Sequence, residues 1–228
     1  MTDDIKLLAF DFAAASPTVL QLLMEDAPEP EIFRDILSAN TGRSEVLQLL
    51  FESSAVTDEI REEARKLLSL PMKLKKIPVQ REQQAGSEEQ RKQSLLQRVQ
   101  SLMVGEKIAL ALRGGRELRS LLAKDANKEV VLSVLKNPKV TETEAEMIAH
   151  SRNVPEDALR FIARNREWLK NYNVVLALVN NPKTPGGIAS TLVTNLKTKD
   201  MITLEKNKNV SDAVRSVAKK IIQVRKPR

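Results

Sequence analysis

The stretch Asn173 to Leu196, NVVLALVNNPKTPGGIASTLVTNL, decides the fold. An apolar run ends in Asn181-Pro182, a short polar turn follows, and Thr184-Pro185 opens the next apolar segment. A residue that precedes proline is pushed out of the α region, so Asn-Pro stops a helix, whereas proline in a first turn costs nothing. The same grammar recurs in Glu129 to Ile148, EVVLSVLKNPKVTETEAEMI, where Val130, Val131, Asn137, Pro138 and Thr141 stand for Val174, Val175, Asn181, Pro182 and Thr184. The chain is built by repetition.

The spacing of the copies fixes the class of repeat. Asn137 and Asn181 are about 44 residues apart, Asp125 and Asn165 about 40, and Val131 and Val214 about twice 42, within the range of helical arrays. The rhythm reaches the N-terminal part as well. Val46, Leu47, Leu50, Phe51, Val56 and Thr57 align, two periods earlier, with Val130, Val131, Val134, Leu135, Val140 and Thr141. Repeats of about 42 residues predict an all-α chain of HEAT or armadillo type, an α-solenoid in which each unit buries its apolar face on a neighbour.

Composition agrees. Aromatics are 3% and glycines number 7, which suits aliphatic helices joined by short turns better than a sheet of β-branched and aromatic pairs. The absence of cysteine excludes a disulfide framework and thiolate chemistry. MTDDIKLLAF carries two acids where a secretory signal needs positive charge, and no apolar run approaches the roughly 20 residues of a membrane span. The expectation is a cytoplasmic protein with no membrane partner.

The net charge of +7 is unevenly spread. Residues 1–70 hold 6 Lys/Arg against 14 Asp/Glu, residues 71–100 hold 7 against 3, and residues 101–228 hold 24 against 13. This predicts an acidic N-terminal helical lobe over 1–70, a charged linker over 71–94 and a basic C-terminal lobe over 95–228. Such asymmetry calls for an acidic or polyanionic partner on the basic lobe.

In the first lobe, helices begin at Ser16-Pro17, at Pro28 and Pro30, near Ser44 and at Thr57, where Asp58 and Glu59 favour the N-terminal dipole. LPMKLKKIPVQREQQAGSEEQRKQS lacks apolar periodicity and reads as a linker. Helical spacing resumes at Leu95. Three-helix units follow: 106–112, 116–123 and 128–136; 142–150, 156–163 and 167–180; 185–195, 199–205 and 212–224. Thr141 and Glu144 form a capping box.

VSDAVRSVAKKI, Val210 to Ile221, resembles the second helix of a HEAT repeat through Asp212, Val214, Arg215 and Ala218. Leu132 and Leu176 stand in place of that Arg in the other copies, so a three-helix, armadillo-like unit fits as well. The part from Val104 onward also resembles a group of bacterial helical-repeat proteins. The resemblance implies a fold and use as a binding surface, and nothing catalytic.

The search for chemistry is short. His150, the single histidine, has no partner at metal-ligand spacing, and no serine stands in a nucleophile elbow. Gly114-Gly115 reads as a turn. Gly186-Gly187, in a first helical turn, leaves amides uncovered that could receive a phosphate, but neither pair has a nucleotide-binding frame. No cofactor or catalytic residue is implied.

The binding candidates are cationic and aromatic. RNREWLKNY, Arg164 to Tyr172, holds the single Trp and the single Tyr, Trp168 and Tyr172, four apart on one face of an expected helix. Arg152, Arg164, Arg166 and Lys170 surround them in sequence, and the run to the aligned Val is longer here than in the other copy. Rings and guanidinium groups in an insertion make a hot-spot candidate; a Trp filling a gap is the structural alternative. Lys208, Arg215 and Lys219 form a second candidate, a basic stripe, which could equally cap the last repeat. These residues predict a non-enzymatic scaffold or binding module for an acidic protein segment. Nucleic-acid binding through phosphate contacts is the alternative, and association of the acidic lobe with the basic one a third reading.

Overall fold

A computed structural model describes residues 10–26, 29–68 and 88–225, with main chain alone for 88–91. Among them lie fourteen α-helices and no strand: α1 (Pro17–Asp26), α2 (Pro30–Ala39), α3 (Ser44–Glu52), α4 (Asp58–Leu67), α5 (Glu88–Gln100), α6 (Val104–Arg113), α7 (Arg116–Leu122), α8 (Lys128–Lys136), α9 (Glu142–His150), α10 (Glu156–Arg164), α11 (Tyr172–Asn180), α12 (Gly186–Val193), α13 (Thr198–Lys206) and α14 (Asp212–Arg225). The chain is all-helical, as its composition predicts. None of these helices is long and apolar enough to cross a membrane.

The starts and stops obey the local chemistry. Asn137 and Asn181 end α8 and α11 in extended backbone ahead of their prolines. Thr141 accepts the Glu144 N–H while the Glu144 carboxylate accepts the Thr141 N–H at 2.8 Å, closing the capping box on α9. Pro155 and Pro185 are the N-cap residues of α10 and α12, so the helix expected from 185 starts at Gly186.

Two expectations are corrected. Residues 71–87 of the expected linker lie outside the described residues, but Glu88 to Ser94 are helical and belong to α5. EEQRKQSLLQRVQ has no glycine or proline and consists largely of good helix formers. Apolar periodicity misses such a polar helix. The second correction concerns residues 167–180, which are not one helix. A 3-10 turn covers Trp168–Lys170, Asn171 is extended, and α11 starts at Tyr172. Asparagine side chains compete with helical hydrogen bonds: Asn165 Oδ1 takes the N–H groups of Glu167 and Trp168, and Asn171 Oδ1 takes that of Asn173 at 2.9 Å.

Packing divides the chain into two compact units, Met1–Leu118 and Arg119–Arg228. In the first, α3 packs on α4 and α1, α2 on α1, α3 and α4, and α6 on α1. Leu20, Leu22, Leu23, Phe33, Ile36 and Leu50 are fully buried there. Arg98 of α5 pairs with Glu25 at 2.7 Å, and the Ser16 hydroxyl donates to Glu106 at 2.5 Å, so α5 and α6, assigned to the basic lobe by charge, join the first unit. The Gly114-Gly115 turn is explained by α1: a Cβ on Gly115 would collide with the main-chain oxygen of Asp26. The Asp26 carboxylate accepts the N–H groups of Glu117 and Leu118, each at 3.2 Å, and so caps α7.

In the second unit α8 packs on α10, α9 on α11, α11 on α12, and α14 on both α12 and α13. Its core is aliphatic, with Leu159, Ile162, Val174, Leu178 and Val193 fully buried. A buried carboxamide ties successive turns together. Asn181 Nδ2 donates to the carbonyls of Ala149 at 2.6 Å and Ser151 at 2.9 Å, at the end of α9, while its Oδ1 accepts the Lys183 N–H at 3.0 Å. Thr184 donates its hydroxyl to the Leu178 carbonyl at 2.6 Å in the same turn.

Asn181→Ala strands two carbonyls and an amide, and is expected to cost about 2–3 kcal/mol in chemical unfolding; a loss below about 0.5 kcal/mol would show that water replaces the carboxamide. Burial raises the Asp26 pKa above its ordinary 3.8, outweighing the Leu118, Glu117 and Gly115 amides that lower it. The folded chain therefore holds this proton longer than the unfolded one, and the stability Asp26 contributes falls as pH rises from 3.8 through the raised value. Asp26→Asn keeps an acceptor oxygen without the titration. Wild-type stability measured relative to Asp26→Asn should decline across that window; a rising difference would mean that the helix amides dominate.

Candidate binding surface

The cations of the second unit outnumber its acids, and most of those acids are engaged by neighbouring groups. The unit holds 21 Lys/Arg against 11 Asp/Glu. Asp157 and Glu129 meet Lys128, Glu156 meets Arg160, Glu167 meets Lys170 at 2.6 Å, and Asp212 meets Arg215. Asp125 Oδ1 caps the Asn127 N–H at 2.8 Å. By contrast the side chains of Arg152, Arg164, Arg166, Lys199, Lys208 and Lys219 are exposed and make no hydrogen bond or ion pair with a described residue.

The expected aromatic hot spot is taken apart by the break at Asn171. Trp168 and Tyr172 do not share a helical face. Trp168 is 8% exposed and lies against Phe161, with ring centroids 6.1 Å apart, so it fills the gap left by the longer turn. Tyr172 is half-buried and its hydroxyl is committed: it donates to Asp200 and accepts the Lys197 N–H at 3.1 Å. The Lys197 ammonium stands 4.8 Å above the ring. Burial, followed by the bond to Asp200, raises the phenol above its ordinary 10.0. The ring thus pins the start of α11 to the start of α13.

The cations do not gather into one cluster either. Arg152 follows α9, whereas Arg164 ends α10 and Arg166 lies just beyond it, so a nine-residue helix, about 13 Å at 1.5 Å per residue, separates them. Lys170 is neutralised by Glu167. Lys208 sits in the turn before α14, which leaves Arg215 and Lys219, four apart, as the helical part of the expected stripe. Arg215 is partnered by Asp212, although its Nε is buried without an acceptor.

A feature that sequence reasoning missed lies between α7 and α9. The Arg119 guanidinium grips the Glu144 carboxylate, Nε to Oε1 at 3.1 Å and Nη2 to Oε2 at 3.2 Å, with side chains 6% and 7% exposed. Glu144 is also the capping-box residue and accepts from the Thr141 amide and hydroxyl. The pair closes one wall of a cavity of about 380 Å³ lined further by Ala123, Lys124, Val134, Met147, Ile148 and Val154. Glu144 was legible as a cap. Nothing in RELRSLL distinguishes Arg119 from the exposed arginines near it, since its partner is 25 positions away.

No family model, curated protein or solved structure matches the chain. Among the described residues, no group of three or more His, Cys, Asp or Glu is arranged to hold a metal ion. His150 is exposed at the last turn of α9.

A buried ion pair is costly to break from one side. Arg119→Met should destabilise the chain by about 3–5 kcal/mol, and adding Glu144→Gln, which keeps the cap but removes the stranded charge, should restore part of that loss. Equal stability of the single and double variants in urea unfolding would contradict the assignment.

Proposed function

We propose that the chain is a non-enzymatic binding module, a HEAT- or armadillo-like array whose basic unit takes an acidic segment of a protein partner. The observation that supports this reading is the division of labour among charges in the second unit. Most of its carboxylates serve caps, hydrogen bonds or ion pairs, while the side chains of Arg152, Arg164, Arg166, Lys199, Lys208 and Lys219 are exposed and pair with no described residue. Unspent cations carry a positive potential into solvent, which speeds encounter with an anionic partner and weakens as salt screens it.

The alternative ligand is nucleic acid, bound through its phosphates. Binding of single strands draws on aromatic platforms as well as cations. None of the three aromatics of the second unit is exposed: Trp168 is buried, Phe161 half-buried against it, and Tyr172 tied to Asp200. That favours carboxylates over stacked bases.

Labelled polyglutamate and a labelled DNA duplex, each titrated with the full chain at low and physiological salt, test the reading. Polyglutamate should bind at low salt, weaken as salt is raised, and lose about tenfold in affinity with the combined R152E, R164E and R166E substitutions, roughly the effect of removing three partly screened contacts. Failure to bind at low salt, or an unchanged affinity in the triple variant, would remove the proposal. Tighter binding of the duplex at matched charge would replace it with the nucleic-acid reading.

A further inference from the structure

The first unit holds a cavity of about 430 Å³, inside the span of about 300–1,000 Å³ that small-ligand sites occupy. Phe10, Val19, Ile108, Ala109 and Leu112 give it an apolar wall. Asp11, Arg43 and Glu106 line it as well, with the Ser16 hydroxyl. The heads of three helices meet here. Ser16 immediately precedes α1, Arg43 is the N-cap of α3, and Glu106 lies in the first turn of α6.

The fold uses part of this polar equipment and leaves part of it free. Glu106 is engaged at both oxygens, Oε1 by the Ser16 hydroxyl at 2.5 Å and Oε2 by the Met103 N–H at 3.0 Å. Arg43 donates through Nη1 alone, to the carbonyls of Ala13 and Ala15 at 2.8 Å and to Asn40 Oδ1 at 2.9 Å. Its Nε and Nη2 bond to no described residue, and neither is sealed from solvent. That edge of a guanidinium carries two parallel N–H groups, a fork that takes both oxygens of one carboxylate. Arg119 grips Glu144 by the same edge. Asp11 is used in the same partial way: Oδ1 accepts the N–H groups of Ala13 and Ala14, while Oδ2 has no described partner. Asp11 holds the N–H of Ala13 and Arg43 its carbonyl, so the free fork and the free oxygen belong to side chains that flank one residue.

The charges select against a simple ion of either sign. Two carboxylates face one guanidinium and three helix N-termini, each of the latter worth about half a positive charge, so the described lining is close to neutral. A free anion would meet the fork but also two carboxylates, and a free amine would leave the fork unused. We propose that the cavity binds a free α-amino acid with an apolar side chain. Its carboxylate takes the Nε and Nη2 fork of Arg43, its ammonium meets Asp11 Oδ2, and its side chain lies against Phe10, Ile108 and Leu112. This site belongs to the first unit and is independent of the acidic-partner reading, which concerns the second.

Calorimetric titration of the full chain tests this. L-leucine should bind saturably with a Kd of about 1 mM or tighter, a modest demand for a ligand of its size. Glycine should bind about tenfold more weakly, having no side chain to bury. N-acetyl-leucine, which lacks the ammonium, and leucinamide, which lacks the carboxylate, should each lose about tenfold or more, the scale of one charge-assisted contact. Asp11→Asn keeps an oxygen for the Ala13 and Ala14 amides but removes the charge; it should weaken leucine by a similar factor and leave N-acetyl-leucine no weaker. Ala109→Leu fills the hollow without touching a polar group and should abolish binding. Arg43→Lys keeps the charge and loses the fork, and should weaken leucine; because Arg43 also holds the turn before α1, the other two variants decide the matter if this one does not fold. Absence of saturable binding by both leucine and phenylalanine would overturn the proposal. So would N-acetyl-leucine or leucinamide binding as tightly as leucine, or leucine affinity unchanged in both Asp11→Asn and Ala109→Leu.

Discussion

The carboxamide of Asn181, donating to the carbonyls of Ala149 and Ser151, is the kind of bond on which this architecture depends. The longest described helix has 14 residues and most have ten or fewer. Helices of that length are marginal alone in water, so each must bury a face on its neighbours and have its ends satisfied from outside. Asparagine does the second task repeatedly here. Asn40 donates to Phe12 and Ile36 carbonyls, Asn127 and Asn171 cap α8 and α11, and Asn207 reaches Asn180. Neutral amides hold the turns at no cost in buried charge.

That economy shapes the surface. Because turns are held by amides and cores by aliphatic residues, few cations of the second unit are needed inside it. Arg119 is the exception, the one buried cation among its described residues, whereas Arg225 stays exposed while donating to the carbonyls of Leu196 and Thr194 beyond α12. Most of its acids, in contrast, are drawn into caps, hydrogen bonds and ion pairs. What solvent sees is the remainder, and it is positive. The function we propose is the consequence of that remainder.

Much of the fold was legible because its signals are local. Proline and asparagine mark where helices stop, Thr141 with Glu144 marks a start, and the recurrence of Val-Val before Asn-Pro sets the spacing of the helices in the second unit. The misses share a cause as well. Helix α5 has too few apolar residues for periodicity to register. The break at Asn171 depends on a side chain competing with its own backbone, which a four-residue spacing between Trp168 and Tyr172 does not reveal. The Arg119–Glu144 pair joins residues on two helices, and no pattern within either one announces it. Of the candidate site, the exposed arginines at 152, 164 and 166 could be named from the sequence, but not that Trp168 is buried, nor that Tyr172 is spoken for by Asp200 and Lys197.

The most direct test of the account is to follow the backbone amide resonances of the full chain by heteronuclear NMR while polyglutamate is added at low salt. The account predicts shifts concentrated in the second unit around the exposed cations Arg152, Arg164, Arg166, Lys199, Lys208 and Lys219. Shifts confined to the first unit, or spread evenly over every lysine and arginine, would contradict it.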